Sequence, residues 1–232
     1  MTIIDLKKFE RRSYSQNGED GILQVIFDTI GVTNKFCVEF GVQDGRECNT
    51  RYLIENGGWT GLRMDGGDHD TYVGQVYKEF VTVENICRLF NKYTVPSEFD
   101  LLSIDVDGND YWIWRAIEGY SPRVVVIEYN SSLPPNVSKT IPYDPEFQWD
   151  GTNYFGASLL ALAKLGRIKG YTLVGCESQG VNAFFLRNDV VGDHFAVRAV
   201  AELYSAPHYG LLIDGKFIGH HPTPKISEMV EV

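Results

Sequence analysis

Apolar positions in this chain gather into short blocks that end on glycine or on acidic residues. Phe36–Phe40, Trp59–Met64, Phe80–Val83, Phe99–Ile104 and Arg123–Ile127 are runs of this kind. They are too short for helices and too continuous for a sheet with one wet face, so they predict strands buried on both sides. Between them, Gly21–Ile30 places Ile22, Leu23, Val25, Ile26 and Ile30 at helical spacing and meets a stop at Gly31. Asn49–Asn56, closed by Gly57-Gly58, predicts a second helix, and Tyr111–Ile117 and Tyr154–Leu165 predict two more. Tyr171–Cys176 and Ala183–Arg187 read as a late antiparallel strand pair, with a hairpin turn at Asp214-Gly215.

Strands alternating with helices predict an α/β fold: a Rossmann-like domain with a mostly parallel central sheet and helices on both faces. At 232 residues the chain suits one such domain over 1–232. Residues 1–35 form a helical lead-in. Residues 131–152 hold four of the nine prolines and read as a long loop or lid.

Composition narrows the partners. A net charge of −10 and a pI near 4.9 disfavour nucleic acid and anionic membrane surfaces, both of which reward clustered Lys and Arg. No apolar run approaches the length of a membrane span. Cys37, Cys48, Cys87 and Cys176 show no paired spacing, so reduced thiols and a cytoplasmic location are expected, without a zinc site. The start, MTIIDLKKFERR, lacks the apolar stretch of a signal peptide. Nothing in the pattern specifies an oligomeric state.

Chemistry concentrates where the expected strands end, the place where open α/β sheets bind ligands. Glu39-Phe-Gly41-Val-Gln-Asp44-Gly45 follows the first strand, and Asp65 follows the second, about twenty residues later as in nucleoside-binding folds. Read separately, these are an ordinary tight turn and a capping aspartate; together they form a nucleoside site. The loop lacks G-x-G-x-x-G and sets Glu39 and Asp44 where a diphosphate would lie. Two carboxylates repel a dinucleotide but suit the sulfonium and ammonium of S-adenosylmethionine.

Asp105-Val-Asp107-Gly-Asn109-Asp110 and Glu128-Tyr-Asn130 follow two further strands. Side by side, Asp105, Glu128 and Asn130 offer the hard oxygen ligands that Mg²⁺ or Mn²⁺ prefers; the competing reading is a metal-free rim with one carboxylate as base. An EF-hand is excluded, because its twelfth position is Ala116. His69 is a further candidate base, although a surface loop histidine explains it equally well. His194, His208, His220 and His221 show no spacing that pairs them with acids. Tyr129, Tyr143, Phe147 and Trp149, on or beside the proline-rich loop, are candidates to stack on a ring.

With these residues in view, the chain resembles the FkbM-type S-adenosylmethionine-dependent methyltransferases, in the branch with a Ser-Gln-x-Gly-Glu-Asp motif. The resemblance rests on SQNGEDGIL (15–23), VEFGVQDG (38–45), NGGWTGLRMDG (56–66), FDLLSIDVDGNDYWIW (99–114), VVVIEYN (124–130) and the 154–189 stretch. It implies an O-methyltransferase that often takes a sugar hydroxyl of a glycan or glycosylated product. It also implies Gln16 and Glu19 closing over the amino-acid part of the donor, with Glu39, Gly41 and Asp44 at the methionine end. Asp65 would hold the ribose, and Asp105 and Asp107 would lie under the transferring methyl. Similar domains occur in large DNA viruses, which makes a host cytoplasm the location in that case. Two features depart from the family pattern: Asp65 stands where a glutamate is usual, and DVDGND replaces an acid-x-Glu-Gly spelling. An NAD-dependent oxidoreductase acting on a nucleotide-sugar and a non-catalytic donor-binding module are the alternatives.

Overall fold

The computed structural model describes residues 3–69, 72–195 and 197–232. Seven strands form the central sheet: β1 (Phe36–Phe40), β2 (Thr60–Asp65), β3 (Tyr77–Lys78), β4 (Glu98–Ile104), β5 (Ser121–Glu128), β6 (Tyr171–Cys176) and β7 (Asn182–Arg187). Their spatial order is β3-β2-β1-β4-β5-β7-β6. The first five run parallel, whereas β7 is antiparallel to both β5 and β6. The protein is therefore an α/β fold with a mostly parallel sheet. Strand order reverses between β1 and β4, the topological switch point at which such sheets bind ligands.

Alternation along the strands builds a core on each face. Val38, Phe40, Leu102, Ile104, Val125 and Ile127 pack with α3 (Ile86–Lys92), α4 (Asp110–Ala116) and α5 (Leu159–Ile168). Cys37, Leu101, Val124 and Val126 face the other way, onto α1 (Glu19–Ile30) and Leu53 of α2 (Arg51–Gly57). Helices thus cover both sides, which is why these strands carry no polar face. A short helix, α6 (Val200–Leu203), completes the set. No helix among the described residues is long and apolar enough to cross a membrane.

At the amino ends of the strands, Asp100 is fully buried and gathers one region of the fold. It accepts hydrogen bonds from the backbone N–H of Thr33, Asn34 and Lys35, and from Arg123 at 2.9 Å. Arg123 also donates to the carbonyls of Ile30 and Gly31, at the end of α1.

Three expectations change. Phe80–Val83 is not a strand; β3 lies at Tyr77–Lys78 against Met64 and Asp65. The Thr82 segment instead leads into α3, with Thr82 N–H bonded to Asn85 Oδ1 and Ile86 N–H to Thr82 O. The helix expected from Tyr154 begins at Leu159, because Gly156 adopts φ +53° and Ser158 caps the helix by accepting from Ala161 N–H. The second helix begins at Arg51 rather than Asn49, since the N–H groups of Asn49 and Thr50 bond to the Glu39 carboxylate.

The proline-rich segment 131–152 has one two-residue strand, Lys139–Thr140, paired with Val230–Glu231. It is pinned over the start of α4: Trp112 Nε1 donates to Ile141 O and Asn109 Nδ2 to Asp144 O, each at 2.8 Å. Leu212–Ile213 and Lys216–Phe217 form the expected hairpin around Asp214-Gly215, both at positive φ.

Candidate functional site

A cavity of about 570 Å³ opens at the carboxyl ends of β1, β4 and β5. This is the size of a small-molecule site. Its lining includes Gln16, Glu39, Gly41, Asp44, Asp105, Asp107 and Glu128. Seven of the expected site residues, from four separate stretches of sequence, therefore meet around one space.

Gly41 sits at the switch point with φ +80°. A Cβ there would lie 1.3 Å from the backbone oxygen of Asp105. The glycine thus lets the β1 loop press against the end of β4, and this contact brings the Glu39–Asp44 and Asp105–Asp110 segments together. In the second segment, Asp107 takes φ +56°, and Asp110 accepts from the N–H groups of Val106 and Gly108. The turn is held by Asp110, leaving Asp105 and Asp107 directed at the cavity.

One carboxylate oxygen from each of Asp105, Asp107 and Glu128 lies within 4.8 Å of the others. Glu128 Oε2 is buried and has no hydrogen-bond partner among the described residues. Burial, followed by repulsion from Asp107, Asp110 and other acids, raises the pKa of Asp105 well above the usual range. Glu128 is raised well above it by burial and then by Asp105. Burial alone is the main cause for Asp107, and it lifts Asp110 to about 6. Carboxylates crowded this way gain most from a cation among them. Among the described residues the lining carries six carboxylates against a single arginine, Arg46, which pairs with Asp44 at 3.2 Å.

Several expectations about individual residues change. Asn130 does not line the cavity: it is buried, donates to the carbonyls of Asn153 and Phe155, and accepts from Ser132 N–H. Every polar atom of its side chain holds loop backbone, and Asp107 takes its place in the oxygen cluster. Glu19 does not face the cavity either. It is fully buried, accepting from Asn17 N–H and Asn182 Nδ2. Its neighbour Asp20 accepts from Ser13, Tyr14 and Ser15 N–H through one oxygen. The acids of the SQNGED stretch therefore shape the loop from within, and Gln16 and Asn17 are what it presents to the cavity.

Glu39 lines the cavity but accepts from Asn49 and Thr50, and burial raises its pKa. Asp65, at the end of β2, accepts from Gln43 N–H and Gly67 N–H, each at 2.7 Å. His69 rests on the same carboxylate at 3.1 Å; neither Asp65 nor His69 belongs to the lining.

The structure adds residues that spacing did not single out. Asn182 pairs in register with Glu128 across β5 and β7, which sets its side chain at the same edge. Tyr209 and His220, from the tail, complete the wall beside Trp149. The signal for them was the hairpin at Asp214-Gly215, whose two arms return to the same place.

No protein-family model matches the chain, and no curated protein matches it in sequence.

Proposed function

We propose that this chain is an S-adenosylmethionine-dependent O-methyltransferase of the class I, Rossmann-like kind, with a sugar hydroxyl as acceptor. The observation that carries the reading is the carboxylate-rich cavity at the switch point between β1 and β4. A nucleoside carrying a sulfonium and an ammonium suits such a lining, and the diphosphate of NAD does not. The FkbM-type motifs in the sequence point the same way.

In this reading Gln16, Glu39, Gly41 and Asp44 form the methionine end of the pocket. Asp65 shapes the ribose end through its hold on Gln43 and Gly67. Asp105 and Asp107 lie at the transferring methyl, where positioning two reactants in line supplies most of the acceleration. The donor set of Asp105, Asp107 and Glu128 also fits Mg²⁺ or Mn²⁺, since all three are hard oxygen ligands and Glu128 Oε2 lacks another partner among the described residues. When bound, such an ion lowers the pKa of a coordinated hydroxyl.

Calorimetric titration with S-adenosylmethionine and S-adenosylhomocysteine tests the donor. Micromolar binding of both is expected, with no heat from NAD or NADH. Absence of binding by either donor form, with or without divalent ions, removes the methyltransferase reading. Titrating Mn²⁺ into the same protein is expected to give a heat that Asp105→Asn abolishes; an equal heat in that variant dismisses the proposed ligand set. Transfer of labelled methyl to an acceptor then separates an enzyme from a donor-binding module.

A further inference from the structure

We propose that His220 is the general base of the methyl transfer, taking the proton of the acceptor hydroxyl beside a wall made by Trp149, Phe155 and Tyr209. The assignment rests on the methyltransferase reading above.

Backbone geometry places this imidazole. The arms of the 212–217 hairpin close at Gly210 and Gly219, with φ +77° and +78°. A Cβ on Gly210 would lie 1.9 Å from Gly219 O, and one on Gly219 would lie 2.9 Å from Ser132 Oγ. Only glycine at both positions permits this clasp. Gly219 N–H donates to Tyr209 O, Leu211 N–H to Gly219 O, and Asn153 N–H to His221 O. Backbone bonds therefore fix the chain on both sides of His220.

Three rings fix the side chain: Trp149 at 4.5 Å between centroids, Tyr209 at 5.1 Å and Phe155 at 5.5 Å. The Trp149 indole is itself anchored, donating to Thr152 O at 2.8 Å. Preorganisation of this kind is what a proton acceptor requires. Among the described residues, His220 is the one imidazole in the cavity lining.

Its surroundings favour the neutral form. Burial, and then the neighbouring His221, lower its pKa below the ordinary 6.5. On the packed elements, the Tyr209 phenol is pushed up to about 12, again first by burial, and stays protonated. Asp150, beside Trp149, is paired with Lys225 at 2.9 Å. The strand-end carboxylates also line the cavity, but a carboxylate that neutralises a cationic donor is a weakened base. A neutral imidazole outside that cluster is free to accept.

The step balances. A lone pair of the acceptor oxygen attacks the sulfonium methyl carbon, the C–O bond forms as the C–S bond breaks, and the pair from that bond stays on sulfur as a neutral thioether. The hydroxyl proton passes to the unprotonated ring nitrogen of His220 and is later released to solvent.

The test uses the full chain with methyl-labelled S-adenosylmethionine and a set of methyl glycosides and neutral polyols. It compares wild type, His220→Gln and His194→Gln, with S-adenosylhomocysteine affinity measured for each by calorimetry. His220→Gln should keep that affinity within about twofold while kcat falls about 10²- to 10⁴-fold, the usual contribution of a general base. Wild-type kcat should fall as pH drops through a value below 6.5, and this acid limb should vanish in His220→Gln. His194→Gln should match wild type. A kcat within threefold of wild type, or an acid limb that survives the substitution, overturns the base assignment. So does donor binding by the wild type without transfer to any compound in the set. Failure of the wild type to bind the donor at all strikes the methyltransferase reading instead, so the two failures are distinguishable.

Discussion

Asp100→Ala is expected to cost about 3–5 kcal/mol of folding stability, the range for breaking a buried ion pair by removing one partner. The change strips the acceptor from three consecutive backbone N–H groups at 33–35 and leaves Arg123 with two carbonyls as its buried partners. A domain of ordinary stability has about 5–15 kcal/mol to lose, so this one residue carries a large share. Chemical denaturation should show a lower midpoint with an unchanged slope. The pH dependence has a definite sign. Burial alone would raise the Asp100 pKa, but Arg123 and the backbone donors outweigh it and hold the carboxyl below its ordinary 3.8. Its contribution is then present above that value and lost as pH falls through the lower, folded one. Wild-type stability should decline across that acid window, and Asp100→Ala should show a shallower decline. Equal slopes in both proteins would refute the role given to Asp100.

Gly41→Ala is the second large effect, and it strikes the site. The added methyl would occupy the place of the Asp105 carbonyl oxygen, at a φ of +80° that alanine resists. Either the β1 loop or the end of β4 must move. Overpacking typically costs about 1–3 kcal/mol, so the protein should still fold at moderate temperature. Donor binding should weaken as well, because Gly41 lines the cavity and the strand ends it joins would move apart. Calorimetry with S-adenosylhomocysteine, alongside a thermal melt, separates the two losses. Gly119→Ala is a useful control, because a Cβ there meets nothing within 4 Å although φ is also positive, at +76°. A Gly41→Ala protein that binds the donor as wild type does would show that the strand-end contact is dispensable.

Much of this architecture is legible in the sequence alone. The continuous apolar runs at 36–40, 99–104 and 123–127 announced strands covered on both faces, and their acidic ends marked the cavity. What failed was local competition. Phe80–Val83 looks like a strand by composition, yet the Asn85 side chain accepts from Thr82 N–H and donates to Phe80 O, turning the segment into a helix start as short polar side chains do. The helix at 86–92 carried its signal in Ile86, Leu89 and Phe90, a spacing that a seven-residue element barely displays. Within the site, sequence identified acids by where strands end but not which way each carboxylate would turn. Glu19 and Asn130 belong to motifs that surround the cavity, and both point inward to hold loops. His220 shows no informative spacing in the sequence because its neighbours, Trp149 and Tyr209, come from distant segments joined only by folding.

The clasp at Gly210 and Gly219 has a consequence for how such a protein diversifies. The segment 212–217 between the two glycines projects outward, with Leu212, Ile213 and Phe217 exposed. Because the backbone bonds close below this projection, its length and composition are uncoupled from the wall that carries Tyr209 and His220. The entropic cost of a longer loop grows only logarithmically, roughly 0.6 kcal/mol for each doubling. The 212–217 segment is thus an exchangeable module mounted on a fixed base, where a lineage can rewrite what the molecule touches while its inner wall stays as it is.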